Sequence, residues 1–545
     1  MVDASRSTAR RGDALRYPPL GRGWGSANAL IAALGLCVAC GNSDADPEPT
    51  YRSRAELLDP QTCGECHATH YSEWSGSMHA YSAKDPVFVA MNRRGQEATN
   101  GELGKFCVNC HAPMAVREAE RAGLTDVDWA NFQDLPHAAD GVSCYFCHNT
   151  SAVEGRHNAA LRLTDDVTMR ARITDPAQNP AHASEYSPLL SGAQPESADA
   201  CGACHDIVLP SPPAPPPMGD PVELERTFRE WQSSVFSPQN ALTPSSMATC
   251  AGCHMPRVGP DQVIAEGPGL NVRPRARHTH AFPGVDLAFP SVPATPDPAQ
   301  SASLRATQQQ LIQDLLDTTL LIEICVEKAP LDFSAVYVTL DNANAGHNWP
   351  SGASQDRRAW VEVTAYRNGQ VLYTNAVPGD LEPPADSKEA WIFRDRIFDG
   401  DREVHMFWEA NRVERGTIGV QLKRSDPNSF NAAHAARRFP ASGVEYIKKL
   451  PGDDSSIPDR VTVRIRLRAM GSDVLGDLVG SGHLDAALPA EIQTFDLLPK
   501  RKKPPLPSFA SVSMEWSEEV KNSGAFKVQL DTSGGKVKDC ISMLR

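Results

Sequence analysis

One short pattern constrains this chain more than anything else in it. Cys-x-x-Cys-His occurs five times, at Cys63/Cys66/His67, Cys107/Cys110/His111, Cys144/Cys147/His148, Cys201/Cys204/His205 and Cys250/Cys253/His254. With 14 cysteines and 16 histidines in 545 residues, composition alone predicts about 0.01 such matches. Two thiols at this spacing can reach both vinyl groups of one porphyrin as thioethers, and the next histidine presents its imidazole to the iron as proximal ligand. Zinc ribbons pair their Cys-x-x-Cys units, five is odd, and the histidine in every copy would stay unexplained. Disulfides in such tight loops, as in thioredoxin-like sites, would not recur five times on one chain. The sequence therefore predicts five c-type haems.

Length alone suggests two to four domains. Hydrophobic residues at 41% and charged residues at 22% argue against wholesale disorder and against a polytopic membrane protein. The net charge of -14 argues against nucleic acid as a partner. The acidity is concentrated: residues 41–300 carry -14, and residues 301–545 only -3.

Residues 1–40 read as a targeting segment. Arg6, Arg10, Arg11, Arg16 and Arg22 form a basic stretch, and residues 27–39 are mostly apolar, too short a run to span a bilayer. Cys40, after Val38 and Ala39 and before a polar acidic tail, resembles the cleavage site of a bacterial lipoprotein, although Cys37 stands where a leucine is usual. The expectation is a lipid anchor on Cys40, with a plain signal peptide as the alternative. Either route exports the protein, which haem attachment also requires.

The remainder divides into a linker at 41–57, a haem domain at 58–300 and a second domain at 301–545. The haem domain is rich in Gly, Pro, His and Cys. It has little sustained periodicity, only short helix-like stretches at 115–122 and 223–234, and a polyproline-like connector at 210–217. Large apolar macrocycles in place of a side-chain core would account for that texture. The second half begins with a helix over 301–317. Strand-like segments follow at 318–326, 334–340, 359–366, 370–374, 404–408, 417–422, 460–468 and 509–516, with a hairpin signal at Arg367-Asn368-Gly369. The expected fold class is α+β: a loop-rich, mainly helical multihaem domain followed by an antiparallel β-sandwich-like domain. Cys325 and Cys540 are left over, and outside the cytoplasm they suggest a disulfide tying the tail to the first strand.

Each iron has a sixth position, and histidine is the leading candidate because methionine is scarce nearby and Met255 adjoins His254. The stretches Glu73-Trp74-x-x-Ser77-x-His79-Ala80, Gly141-Val142-Ser143-Cys144 with His137 just ahead, and Cys201-Gly202-Ala203-Cys204-His205-Asp206 resemble the multihaem cytochrome c family typified by the tetrahaem cytochrome of ammonia oxidisers. The likeness covers roughly residues 60–280. Asn342-x-Asn344-Ala345-Gly346-His347-Asn348-Trp349-Pro350-Ser351-Gly352 and Arg357-Arg358-Ala359-Trp360 resemble a segment of larger bacterial multihaem cytochromes, in which a β-domain follows the haems. The resemblance implies His79, His137, His280 and His347 as distal ligands. His182 and His157 compete for the fifth place, and His278 is an alternate for His280. His70, His405, His434 and His483 read as ordinary surface or core residues. Arg273, Arg275 and Arg277 are placed to neutralise haem propionates or to form a solvated charge run.

Two functions are open at this point. Five haems on about 200 residues suit electron transfer, with the acidic half docking a basic redox partner protein and the anchor holding it at the cell envelope, facing the periplasm or on the outer-membrane surface. The alternative is an oxidoreductase with one open haem acting on a small nitrogen or sulfur compound. No Cys-x-x-Cys-Lys motif is present. No binding motif gives the β-domain a purpose of its own.

Overall fold

The computed structural model describes residues 51–209, 222–241, 243–328, 334–422, 431–440, 458–498, 500–501, 512–515, 523–530 and 540. The leader with Cys40 and the connector at 210–217 lie outside the described residues. Residues 49–545 cluster as one compact unit. The chain is an α+β protein of helices and several sheets.

The first half is built from short helices with strong local start signals. Asp59 accepts the Gln61 N–H (2.9 Å) ahead of Pro60–Gly64, and Asp85 accepts the Val87 N–H (2.9 Å) ahead of Pro86–Ala98. Both helices start with proline, which fits the first turn because its missing N–H has no partner there. Ser143 caps Cys144–Asn149 in the same way. Apolar side chains gather in separate small clusters, one around Phe88, Val108 and Phe132, another around Tyr145, Phe146 and Leu161. Three two-stranded sheets also occur here, which a mainly helical expectation did not include. Thr150–Val153 pairs Leu161–Leu163, Thr168–Ala171 pairs Ala183–Tyr186 in parallel, and Ile207–Val208 pairs Glu223–Glu225. The helix expected over 223–234 is in fact a strand, Glu223–Glu225, then a helix, Thr227–Ser233. Leu224, buried between two less buried glutamates, has the period-two pattern of a strand.

The second half opens with the helix Pro298–Thr319, capped by Asp297 and longer at both ends than expected. A seven-stranded sheet has the order Gln370–Thr374, Arg358–Arg367, Arg460–Arg468, Ala525–Leu530, Val512–Glu515. Trp391–Phe393 also pairs Arg358–Arg367, and Thr494–Leu497 pairs Arg460–Arg468. A four-stranded sheet runs His434–Pro440, Ser334–Asn342, Leu320–Lys328, Lys500–Arg501, the last pair parallel. A small three-stranded sheet joins Arg402–Val404, Arg396–Asp399 and Arg412–Glu414. The predicted hairpin is present: Asn368 and Gly369 take φ of +49° and +79°, as a two-residue type I′ connection requires. Leu320, Ile322 and Val338 from the four-stranded sheet share one hydrophobic cluster with Val361, Val463 and Ile465 from the seven-stranded sheet.

Two expected strands differ. Over 404–408 only Val404 is in a strand, and Phe407–Glu409 is a 3-10 turn. Over 417–422 the pairing is a single bridge between Trp349 and Ile418. Of the strand expected at 509–516, Val512–Glu515 is described. Cys325 and Cys540 form the expected disulfide, with Cα atoms 5.9 Å apart. Among the described residues no helix is long and apolar enough to cross a membrane.

Candidate functional site

Each motif begins on or beside a short helix, and the turn itself arranges the donors. Residues i and i+3 of a helix share a face. The His67 N–H donates to the Cys63 carbonyl (2.8 Å), His111 to Cys107 (3.3 Å) and His205 to Cys201 (3.0 Å). These bonds fold the five-residue motif so that the two thiols share a side and the imidazole stands beside them. None of the ten motif cysteines forms a disulfide.

The two cysteines of a motif differ in their surroundings. In the first motif the helix Pro60–Gly64 carries Cys63 but stops short of Cys66, which lies in the turn beyond it. There the Cys66 N–H bonds the Cys63 carbonyl only three residues back (3.3 Å), and the Cys66 carbonyl accepts the Glu266 N–H from far along the chain (2.9 Å). Gly267 passes so near that a Cβ there would stand 3.2 Å from Cys66 Sγ. Cys66 is thus covered by the segment around residue 266, whereas Cys63 faces another motif. Cys204 likewise lies just past its helix, Glu196–Gly202, and Cys253 is exposed where its motif partner Cys250 is half-buried.

The imidazoles are oriented by what holds their Nδ1 atoms. A carbonyl can only accept, so an Nδ1 bonded to one carries the proton and leaves the Nε2 lone pair for a metal. His67 Nδ1 donates to the Ile264 carbonyl (2.9 Å), His148 to Arg170 (2.6 Å), His254 to Pro283 (2.8 Å) and His111 to Ser82 (3.4 Å). His205 Nδ1 meets a carboxylate instead, Glu225 Oε1 at 3.1 Å. His182, His280 and His347 donate in the same manner to the carbonyls of Ala183 (3.0 Å), His278 (3.1 Å) and Asn348 (2.9 Å). Burial disfavours the charged form of four imidazoles, as suits a ligand: it pushes His79 and His280 down to about 3 and His111 and His254 down to about 4. His205 goes the other way. Burial opposes its charge, but the Glu225 carboxylate outweighs burial and raises it to about 9.

Two imidazoles that share one metal, each bonded at about 2 Å, hold their ring centroids about 6 Å apart. Three pairs of a motif histidine and a remote one have that separation: His148 and His280 at 6.2 Å, His205 and His79 at 6.3 Å, His254 and His347 at 6.5 Å. His182 lies within electrostatic range of both His67 and His148. No second imidazole faces His111 in a ring contact among the described residues; Phe88 stacks on it at 3.8 Å, 4° from parallel.

Long-range contacts put the remote histidines in place. His79 lies in the short helix Met78–Tyr81, and its carbonyl accepts the Val142 N–H (2.8 Å). Gly141 passes directly beneath with φ +58°, and a Cβ there would run into the His79 carbonyl, so this step of the third motif's approach demands glycine. Glu73 fixes His280 by accepting its backbone N–H (2.9 Å) while binding Arg277 (2.6 Å). His347 lies in the loop after Ser334–Asn342, which is tied to the helix Thr227–Ser233. There Glu230 Oε2 accepts the Asn348 N–H (3.1 Å) and the Ser351 hydroxyl (2.6 Å), and Thr227 Oγ1 accepts the Gly352 N–H (3.1 Å).

The other candidates lie elsewhere. His137 is half-buried at φ +61°, with Nδ1 3.0 Å from Asp140 and no ring contact to another described histidine. His157 is exposed. His278 has both nitrogens engaged, by the Met255 carbonyl (2.9 Å) and by Arg172 (3.0 Å). Arg273 and Arg275 both pair with Asp175, and Arg277 pairs with Glu73. His70 stands edge-on to His67 (6.0 Å) and His280 (4.7 Å), so it belongs to the site although its sequence context gave no sign of that. Glu225 and Glu230 were missed for the same reason: single glutamates carry no pattern.

The motifs themselves are neighbours. Cys63 lies close enough to Cys144, Cys110 to Cys204, and Cys201 to Cys250 for the thiols to act on one another's ionisation. Cys147 is within electrostatic range of Cys201 and Cys204. The fourth motif therefore adjoins the second, third and fifth, and the first adjoins the third.

Paired cysteines, a proton-directed imidazole beside each pair, and remote imidazoles at metal-sharing distance form a donor set that fits c-type haem and gives no reason to prefer another group. Site and motifs define a chain that binds c-type haem at several places. Residues 62–149, which hold the first three motifs, match the family described as cytochrome c554 and c-prime. A penta-heme cytochrome c552 from Thermochromatium tepidum is similar in fold, with a TM-score of 0.52 at 18% identity over 82% of this chain and 98% of that one. No curated protein matches the sequence. Together with the motifs, these findings support a multihaem c-type cytochrome.

Proposed function

We propose that this chain is a five-haem c-type cytochrome that moves electrons at the cell envelope. The observation that carries the reading is the closeness of the motifs: cysteines of the first and third, second and fourth, and fourth and fifth lie near enough to act on one another, so no site is isolated. Bound there, haem iron would supply one-electron chemistry whose potentials follow axial ligation, hydrogen bonding and burial. The chain's own residues do the rest. The five thiol pairs attach, Cys66 from its turn as well as Cys63 from its helix, and His67, His111, His148, His205 and His254 ligate on the proximal side. His79, His280 and His347 face His205, His148 and His254, and His182 serves His67. The second half, read as sandwich-like, delivers His347 from its loop. Residues 1–40 direct export, with Cys40 lipidated, and the acidic half docks a basic redox partner.

The test is the mass of the matured protein with low-temperature electron paramagnetic resonance of its oxidised form. Five thioether-bound haems without a high-spin signal support the reading, and fewer than five refute it. One observation favours a second reading, an oxidoreductase acting on a small nitrogen or sulfur compound: the described residues bring no imidazole opposite His111. A high-spin signal that nitrite or hydroxylamine perturbs would select it.

A further inference from the structure

We propose that Glu225 sets the reduction potential of the fourth motif's site, holding it lowest of the five by accepting the His205 N–H. The inference rests on the haem reading above. Four motif histidines donate Nδ1–H to backbone carbonyls, which are neutral dipoles. Only His205 donates to a carboxylate. A hydrogen bond to an ionised acceptor is roughly twice as strong as one to a neutral acceptor. It draws the N–H proton away from the ring and makes the opposite nitrogen a better donor. A more basic axial ligand favours ferric over ferrous iron and so lowers the potential.

The fold commits Glu225 to this place. The chain leaves the motif as Ile207–Val208, and Glu223–Glu225 returns antiparallel to it, with Ile207 opposite Glu225. The Phe228 N–H then donates to the His205 carbonyl (3.1 Å), so the histidine is gripped at both ends. The Glu225 side chain is 14% exposed and that of His205 53%, so the carboxylate approaches the ring from its inner side. Beyond His205, Arg357 also favours its charged form, and Arg357 is itself bonded to Asp286 (2.9 Å). Position gives the effect its meaning. The fourth motif adjoins three others, so a site held low there separates the branches and sets the direction in which electrons leave it.

The experiment is a spectropotentiometric titration of the matured protein and of Glu225→Gln, with haem counted by mass in both. Glu225→Gln keeps the shape and a neutral acceptor. It should raise one couple about tenfold in its reduction equilibrium, which is about 59 mV for one electron, and leave the other four in place. Glu223→Gln, on the same strand but paired with Arg229 instead of an imidazole, should move none. The proposal is overturned if no couple moves, if all move together, or if Glu223→Gln does the same. Should Glu225→Gln lose a haem, the wild-type titration decides: one couple must lie at least tenfold below the other four. Five haems with unmoved potentials would refute the role of Glu225 and leave the cytochrome reading standing, whereas missing haems in the wild type would refute both.

Discussion

Replacing Glu230 with alanine should release His347 from His254 without altering either histidine. Glu230 is buried at 9% exposure, and one of its oxygens receives both the Asn348 N–H and the Ser351 hydroxyl. Hydrogen bonds to a charged partner are worth about 1.5–3 kcal/mol each, so removing the carboxylate should cost roughly 3–6 kcal/mol and leave two donors without their acceptor. A domain is stable by only about 5–15 kcal/mol, so a loss of that size falls first on the loop that the bonds restrain. From the same helix the bonds of Thr227 to Gly352 and to the Ser351 hydroxyl would remain. The expected outcome is a lower melting temperature, together with conversion of one low-spin electron paramagnetic resonance signal to high spin and new carbon monoxide binding by the reduced protein. Glu230→Gln, which keeps one acceptor oxygen, should fall between the two. A Glu230→Ala protein that melts lower yet keeps every low-spin signal would show that the loop holds His347 by other means, and the reasoning from these two bonds would fail.

Three further outcomes can be checked. His79→Ala should turn one low-spin signal high-spin, whereas His137→Ala, whose ring faces Asp140, should leave the spectrum unchanged; the reverse result would restore the sequence-based assignment of His137. Cys540→Ser should lower stability by roughly 2–5 kcal/mol in a denaturant melt, since the disulfide spans 215 residues, with haem content unaffected. Asp85 gives a pH signature: burial holds its carboxyl at about 7 in the folded chain, against about 4 when unfolded. Between those values the folded chain keeps a proton the unfolded chain has lost, so this residue costs stability that grows from pH 4 to pH 7 and then stays constant. Asp85→Asn, still able to cap Val87, should raise the melting temperature at pH 8 and leave it unchanged at pH 4.

What the sequence made legible follows the range of the physics. Attachment motifs and the Asn368-Gly369 hairpin are local, and each was readable from a few neighbouring residues. The inequality of Cys63 and Cys66 was not, because the Glu266 N–H that holds the Cys66 carbonyl lies 200 positions away. The strand His434–Pro440 was missed because His-Ala-Ala-Arg-Arg-Phe-Pro does not alternate; its partner Ser334–Asn342 supplies the pairing that its own side chains do not announce. Residues 417–422 failed in the opposite sense, since the apolar pattern is there but the backbone finds only one bridge. His79, His280 and His347 were reached through resemblance, and the structure sets each about 6 Å from a motif histidine. His137 looked equivalent in context, but its left-handed backbone turns the ring to Asp140. No sequence rule distinguishes those two outcomes, because the distance that separates them is set by contacts remote in the chain.

That division of range also explains why the two halves form one compact unit. A proximal imidazole is covalently adjacent to its thiols, so each motif carries it whether or not the chain is folded. A distal imidazole has no such tether. His79 reaches His205 across 126 positions, His280 reaches His148 across 132, and His347 reaches His254 across 93. Loop closure over such lengths costs little more than over half the distance, because the entropy grows only logarithmically. What must be supplied is rigidity at the far end, and each remote histidine has it from a buried or half-buried partner: the Gly141 and Val142 backbone meets His79, Glu73 grips His280, and Glu230 holds the His347 loop. Two of those three anchors are glutamates. Both lie in the first half, so part of its negative charge is engaged with internal partners, and its surface is correspondingly less acidic than the residue count suggests.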